Sequence, residues 1–194
     1  MKKIITLTGC SASGKDTLLN MIIWYNKNIL PIISTTTRPM RKGEKEGINY
    51  YFKKEIDLNN LIEYRKYQTI NGTYFYGIEK EEIENKLKQN DTLIVILDYR
   101  GLKAMREYCL KNNIKIESYY IQVPLKTRLY RSLKREEWEY PDDEHYLEIC
   151  RRAIADNEEV EIAKYDKEIK VINNETNVDF LKNILNISES VEIQ

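Results

Sequence analysis

The sequence has no excess of charge of either sign. Its 194 residues include 31 basic and 31 acidic side chains, so the formal net charge is zero. A dedicated nucleic-acid-binding domain usually has an isoelectric point above about 9, whereas the value for this chain is about 6.6. The composition therefore argues against nucleic acid as the main partner.

Cysteine and long apolar runs are also scarce. Cys10, Cys109 and Cys150 are an odd number of cysteines, at spacings that suit neither a disulfide framework nor a zinc site. The longest apolar runs, such as Leu93 to Leu97, are far shorter than the roughly 20 residues that span a bilayer. The N-terminus also leaves no room for the apolar region of a signal peptide. We therefore expect a cytoplasmic protein without a membrane partner.

Apolar runs typical of strands alternate with helical patterns, as they do in α/β folds. The run from Ile4 to Leu7 predicts a strand that leads into a glycine-rich turn and a helix. Asn71-Gly72, between two β-prone runs, predicts a hairpin. We also predict helices at residues 56–64, 144–163 and 178–185 and a strand at 168–172.

One further predicted helix separates apolar from basic side chains. Leu125, Leu129 and Leu133 recur at every fourth position and share one face. Arg128, Arg131 and Arg135 lie on a different face of the same helix.

A glycine-rich segment after the first predicted strand nearly matches the phosphate-binding pattern G-x-x-x-x-G-K-[ST]. In this pattern the backbone N–H groups and the start of the following helix bind phosphate. The lysine reaches the β- and γ-phosphates. The residues that we predict to bind ATP in this segment are Gly9, Ser11, Ala12, Ser13, Gly14, Lys15, Asp16 and Thr17.

The pattern has one departure, at the residue that follows Lys15. Asp16 stands where Ser or Thr usually offers a hydroxyl to Mg²⁺. A carboxylate is also a hard oxygen ligand for Mg²⁺. We therefore expect ATP and Mg²⁺ as cofactors, with Asp16 and Thr17 as the candidate metal ligands.

Two arginines three residues apart lie in the hydroxyl-rich segment from Ser34 to Phe52. Arginine forks are suited to phosphate oxygens. The segment resembles the acceptor-phosphate loop of guanylate kinases, S-x-T-T-R-x-x-R-x-G-E-x-x-G-x-x-Y-x-F, at every fixed position. The resemblance implies that the acceptor phosphate is bound by Ser34, Arg38, Arg41, Tyr50 and Tyr76, with Glu44 supporting the arginines.

The resemblance also implies a fold and a reaction. The expected fold is an α/β phosphate-loop kinase: a parallel five-stranded core with helices on both faces, an antiparallel insertion and a helical lid. The expected reaction is ATP-dependent phosphoryl transfer to a nucleoside monophosphate, with GMP or dGMP as the leading acceptor. The implied single domain spans residues 1–187, with core segments 1–33, 79–130 and 153–187, an insertion at 34–78, a lid at 131–152 and a tail at 188–194.

Similarity to the family's lid and strand-end motifs is looser. By resemblance, Arg131, Arg135 and Arg152 join Lys15 as catalytic residues. Asn173 stands near the expected adenine site.

The family motif L-D-I-D-x-x-G is only partly present. Asp98 matches its second acidic residue and is expected at the acceptor site, whereas Ile96 occupies the first acidic position.

The positions that read guanine in the family do not carry over cleanly. Ile78 replaces a serine or threonine, and the usual glutamate aligns with either Tyr67 or Glu63. The loss of a base contact changes specificity, so another nucleoside monophosphate or ribose 1,5-bisphosphate remains an alternative acceptor. A non-catalytic, phosphopeptide-binding module is a further alternative. The sequence is compatible with a monomer or a homodimer.

Overall fold

The computed structural model describes residues 1–40, 43–69, 72–136, 143–159 and 161–174. The strands of its main sheet are β1 (Lys3–Thr8), β2 (Ile29–Pro31), β7 (Thr92–Ile96), β8 (Lys115–Gln122) and β9 (Ile169–Asn173). Their order in the sheet is β2-β7-β1-β8-β9, and the β2–β7 and β8–β9 pairs are parallel. The predicted five-stranded parallel core is confirmed.

One compact unit consists of Met1–Ile5, Asn28–Val95 and Arg100–Ile116. It contains a second sheet formed by β3 (Thr35–Thr36), β4 (Tyr51–Phe52), β5 (Leu61–Thr69) and β6 (Gly72–Glu79), in the order β4-β3-β6-β5. The unit also contains helix α2 (Lys80–Gln89) and most of helix α3 (Tyr99–Lys111).

The predicted hairpin is confirmed within this sheet. Strands β5 and β6 pair in an antiparallel ladder that includes Arg65 opposite Tyr76 and Thr69 opposite Gly72. Residues 70–71 of the turn lie outside the described residues. Since β3 pairs with β4 in parallel and with β6 in antiparallel fashion, the insertion is a mixed sheet rather than a wholly antiparallel one.

The helix predicted at residues 56–64 is wrong. A short 3-10 helix at Leu58–Asn60 follows Asp57, whose carboxylate accepts a hydrogen bond from the Asn59 N–H. The chain then enters β5, where Leu61 is buried and pairs with Glu79. The strand is more stable than a helix here because pairing with β6 satisfies the backbone hydrogen bonds and buries Leu61.

The second compact unit consists of Thr6–Lys27, Ile96–Tyr99 and Glu117–Gln194. The helix predicted at 144–163 is one α-helix followed by a short 3-10 helix, and the helix predicted at 178–185 lies outside the described residues. The helices of this unit are α1 (Lys15–Tyr25), α4 (Leu125–Glu136), α5 (Asp143–Glu159) and a 3-10 helix at Glu161–Tyr165.

Burial follows the expected helical period in α2, where Ile83 and Leu87 are buried. Helix α4 differs from this pattern. Leu125 and Leu133 are each 41% exposed, whereas Arg128 is only 4% exposed. The basic face of α4 is therefore partly an interior face. Among the described residues, no helix has the length and apolar character needed to cross a membrane.

Candidate active site

The glycine-rich loop between β1 and α1 turns its backbone through left-handed conformations. Ala12 has φ 59° and Gly14 has φ 89°. A Cβ on Gly14 would lie 2.9 Å from Nδ2 of Asn174, so the position requires glycine for space as well as for backbone conformation. Left-handed residues in a loop let successive backbone N–H groups form a concave nest that binds anions.

The other motif glycine, Gly9, is required by close packing. A Cβ at this position would lie 2.7 Å from the backbone oxygen of Ile121. That separation is shorter than a van der Waals contact and involves a main-chain atom that cannot rotate away. Gly9 therefore lets the chain after β1 approach Ile121 of β8 closely.

Lys15 begins α1 and folds back over the loop. Its Nζ donates a hydrogen bond to the Cys10 oxygen at 2.8 Å. Burial lowers the pKa of Lys15, and the nearby Asp16 and Asp156 carboxylates oppose that shift. An ammonium group has three N–H donors, so the hydrogen bond to Cys10 leaves Lys15 with capacity to bind phosphate oxygens.

Asn174 holds the loop from the other side. Its side-chain amide donates to the Ser13 oxygen at 2.9 Å, and the residue is only 1% exposed. Asn173, the residue predicted near adenine, ends β9 with an exposed side chain. The Asn-Asn pair was visible in the sequence, but only the structure distinguishes which asparagine holds the loop.

Asp16 and Thr17 lie in the first turn of α1 with exposed side chains. The described residues contain no group of three or more His, Cys, Asp or Glu side chains that could enclose a metal. This donor set fits Mg²⁺, which usually binds one or two protein oxygens together with substrate phosphates and water.

Three arginines of α4 and α5 were predicted to act in catalysis. Nη1 of Arg131 lies 3.9 Å from the position that a Cβ on Gly14 would occupy, which places this guanidinium beside the loop. Arg135 lies in α4, and its side chain is outside the described part of the structure. Arg152 lies on α5, where its Nε donates to Glu148 Oε1 at 2.7 Å.

Glu148 provides a pH-dependent test of how Arg152 is held. Hydrogen bonding from Arg151, opposed by burial and assisted by Arg152, lowers the pKa of Glu148 to about 2 from an ordinary value of 4.5. Because the folded pKa is depressed, the stabilisation is complete above about pH 4.5 and is lost as the pH falls towards 2.

An NMR titration of the Glu148 carboxyl group should show this low pKa. Arg151 makes two hydrogen bonds to the carboxylate and Arg152 makes one. Arg151→Ala should therefore raise the pKa more than Arg152→Ala does. An ordinary pKa in the wild-type protein would show that the cluster does not form in solution.

Sequence reasoning missed two residues beside the loop. Asp156 Oδ2 accepts a hydrogen bond from the Ser11 N–H at 2.5 Å and lies 3.7 Å from Nη1 of Arg128. Arg128 Nε also donates to the Val123 oxygen at 3.2 Å. The basic face of the predicted helix was the only sequence signal for Arg128. Asp156 had no signal, because its partners are distant in sequence.

The first unit contains a second cluster, centred on Arg38, which is 8% exposed. Its Nε donates to the Tyr76 hydroxyl at 3.0 Å, and its Nη2 lies 2.7 Å from Glu44 Oε1. The guanidinium carbon also lies 5.7 Å from the ring centroid of Tyr50 and 5.6 Å from that of Phe52. The hydrogen bonds and ring contacts fix both the position and the plane of this guanidinium.

Two other predicted acceptor residues belong to the same segment. Ser34 is partly exposed, and its backbone oxygen accepts a hydrogen bond from the Tyr51 N–H at 2.9 Å. Arg41 lies outside the described residues. Asp98 belongs to the other compact unit, where it follows β7 and is partly buried.

Glu82 of α2 contacts both ends of the segment that carries Arg38, and sequence reasoning missed it. Its Oε1 accepts a hydrogen bond from the Ile33 N–H at 3.0 Å, and its Oε2 accepts one from the Tyr51 hydroxyl at 3.2 Å. Lys86, one turn further along α2, lies 2.6 Å from Glu82 Oε1. These contacts anchor both ends of the segment that carries Arg38.

The strand register distinguishes Tyr67 from Glu63, the two residues that align with the family's guanine-reading glutamate. Tyr67 pairs with Tyr74, two residues from Tyr76 towards the hairpin turn. A bulge between Leu61 and Tyr64 instead leaves Ile62 and Glu63 together opposite Ile78. Glu63 therefore lies beside the position at which the family pattern has its hydroxyl residue.

A phosphate loop on an α/β core, together with a guanidinium held at a separate turn, defines a phosphate-loop kinase. Comparison with known proteins gives the particular family. A family model described as guanylate kinase matches residues 1–188, so the chain belongs to the guanylate kinase family.

Individual relatives agree with this assignment. A guanylate kinase from Rickettsia felis is 30% identical over 190 residues, covering 97% of this chain and 92% of the relative. One from Prochlorococcus marinus is 37% identical over 109 residues, covering 55% of this chain and 59% of the relative. The crystal structure of guanylate kinase from Anaplasma phagocytophilum matches with a TM-score of 0.59 at 21% identity, covering 100% of this chain and 87% of that one. This structural match supports the fold.

Proposed function

We propose that this protein transfers the γ-phosphoryl group of ATP to GMP, giving ADP and GDP. The observation that carries the proposal is the occurrence of two anion-binding clusters in one chain of the family. One cluster is the phosphate loop with Lys15, and the other is the turn that presents Arg38. The relatives named guanylate kinase support the identity of the acceptor.

The phosphate loop would bind the phosphates of ATP. Its left-handed backbone turns and the start of α1 favour anions, and Lys15 supplies a positive charge beside them. Bound Mg²⁺ would supply further charge neutralisation for the phosphates, with Asp16 and Thr17 as its protein ligands. Arg131, Arg135 and Arg152 would add positive charge as it is needed in the transition state.

The Arg38 cluster would bind the phosphate of the acceptor. Arg38, with Ser34, Arg41, Tyr50 and Tyr76, would orient that group, while Glu44 holds the guanidinium in place. A phosphate monoester has its second pKa near 6, so its oxygen is already a nucleophile near neutral pH. That oxygen attacks the γ-phosphorus, the bond to the β-phosphate oxygen breaks, and ADP leaves.

Base recognition would be carried by Glu63 and Arg100. Nε of Arg100 lies 2.6 Å from Glu63 Oε1, and the side chains are 70% and 18% exposed, respectively. The carboxylate can accept hydrogen bonds from the N1–H and amino group of guanine, while arginine N–H groups suit its O6. This pair would compensate for Ile78, whose side chain cannot form hydrogen bonds. Asp98 remains a predicted contact to the acceptor.

A specificity assay tests the role of Glu63. We expect Glu63→Gln to lower kcat/KM for GMP by about 10- to 100-fold, since a charge-assisted hydrogen bond is lost. Activity with AMP should change little, so the ratio of the two is the readout. Glu81→Gln, an exposed glutamate on α2, is the matched control. An equal loss with both acceptors would remove Glu63 from base recognition.

An acceptor panel tests the function itself. ADP release from ATP and Mg²⁺ should be measured with GMP, dGMP, AMP, CMP, UMP, dTMP and ribose 1,5-bisphosphate. We expect GMP and dGMP to be the preferred acceptors by a wide margin, with AMP turned over only weakly. Preference for another acceptor would show that the protein is a kinase with a different substrate. No turnover with any of these acceptors would overturn the proposal. We place this reaction in the cytoplasm, and the expectation of a monomer or homodimer stays a prediction.

A further inference from the structure

The Arg128–Asp156 pair lies at the phosphate loop and has no role in the function proposed above. Asp156 projects from α5, and its Oδ2 accepts a hydrogen bond from the Ser11 N–H at 2.5 Å. A carboxylate oxygen therefore accepts the hydrogen bond of a backbone N–H group of the kind that binds phosphate in such loops.

Arg128 lies beside the same carboxylate oxygen but is held independently of it. Its Nη1 is 3.7 Å from Asp156 Oδ2, and its Nε donates to the Val123 oxygen at 3.2 Å. The side chain is 4% exposed. Because a main-chain oxygen anchors this buried guanidinium, Arg128 would keep its position if Asp156 moved away.

The surrounding space is small. Ser11, Arg128, Ser132, Arg152 and Asp156 contribute to the lining of a cavity of about 20 Å³. A space of this size suits about one water molecule and is too small for a phosphate group. An anion larger than water can reach Arg128 here only if the Asp156 side chain moves.

We propose that Arg128 is a further phosphate-binding residue, and that a nucleotide phosphate takes the place of the Asp156 carboxylate. The incoming phosphate oxygen would accept the hydrogen bond from Ser11 N–H and would pair with Arg128. Asp156 acts as an internal anion that competes with the nucleotide for these two donors. This inference rests on the assignment of the phosphate loop to ATP.

Calorimetric titration with ADP and Mg²⁺ provides the first test. Asp156→Asn removes the competing charge, and we expect it to tighten ADP binding about tenfold. Arg128→Met should weaken binding by a similar factor. Asp166→Asn is the matched control, since this carboxylate of the same unit contacts the Tyr99 hydroxyl and the Glu168 N–H rather than the loop. Unchanged or weaker ADP binding by folded Asp156→Asn would overturn the inference.

Asp156→Asn leaves a buried arginine without its carboxylate and so could prevent folding. A second test therefore uses the wild-type protein. NMR should detect a coupling through the hydrogen bond between the Ser11 nitrogen and the Asp156 carboxyl carbon. ADP and Mg²⁺ should abolish this coupling. A coupling that persists with ADP, or that is absent from the free protein, would overturn the exchange.

Lys15→Met separates this inference from the function on which it rests. If Lys15→Met binds ADP normally, the assignment of the loop to ATP fails. If Lys15→Met loses ADP binding while the Asp156 and Arg128 variants bind as wild type does, only the exchange fails.

Discussion

Lys15→Met should reduce kcat/KM by roughly 100- to 1000-fold or more, the range seen when one transition-state donor is removed. The lysine begins α1 and reaches back over the loop, where its Nζ donates a hydrogen bond to the Cys10 oxygen at 2.8 Å. Methionine preserves most of the side-chain volume but removes the charge. The reaction would then lack the cation placed to stabilise the negative charge of the transferring phosphoryl group.

The stability of the same variant separates catalysis from folding. Burial lowers the pKa of Lys15, which means that the charged side chain is disfavoured by its surroundings. Lys15→Met should therefore not lower the thermal unfolding midpoint. Lys27→Met, an exposed lysine of the same unit, is the matched control and should retain full activity. Near-wild-type turnover by Lys15→Met would contradict the role given to the phosphate loop.

Arg38→Ala should raise KM for the acceptor by about 10- to 100-fold, the expected effect of losing a charge-assisted interaction. KM for ATP should change by less than about threefold, because the substitution acts on the acceptor phosphate. The contrast follows from the structure of the cluster. Glu44 and Tyr76 hold the guanidinium, and alanine retains none of these contacts.

Two further variants distinguish charge from geometry at this position. Arg38→Lys keeps the charge but loses the planar fork, so its acceptor KM should lie between those of the wild type and Arg38→Ala. Tyr76→Phe removes only the hydroxyl that accepts from Arg38 Nε, and we expect a smaller rise in KM. Equal increases in KM for ATP and for the acceptor in Arg38→Ala would contradict the assignment of this cluster.

Much of the fold was predictable because its signals are local. The run from Leu93 to Val95 is buried, as expected for a strand covered on both faces in a parallel sheet. Asn71-Gly72 predicted the hairpin through turn geometry alone. Residues 56–64 were mispredicted because the deciding interaction, the pairing of β5 with β6, involves residues that follow later in the chain.

The candidate site shows the same division between local and distant signals. The phosphate loop and the Arg38 turn are contiguous in sequence, so their residue types and spacing were informative. The contacts of Asp156 with Ser11 and of Asn174 with Ser13 join residues that are 145 and 161 positions apart. Neither the period of the apolar residues nor the spacing of a motif predicts such a contact. The bulge in β5 that brings Glu63 opposite Ile78 likewise has no sequence pattern that predicts it.

The most direct test of the central claim is to follow the γ-phosphate itself. The protein should be incubated with Mg²⁺, GMP and ATP that carries a radiolabelled γ-phosphate, and the products separated by anion-exchange chromatography. We predict that the label appears in GDP in proportion to the ADP formed. Label that stays in ATP, or that appears only as inorganic phosphate, would contradict phosphoryl transfer to GMP.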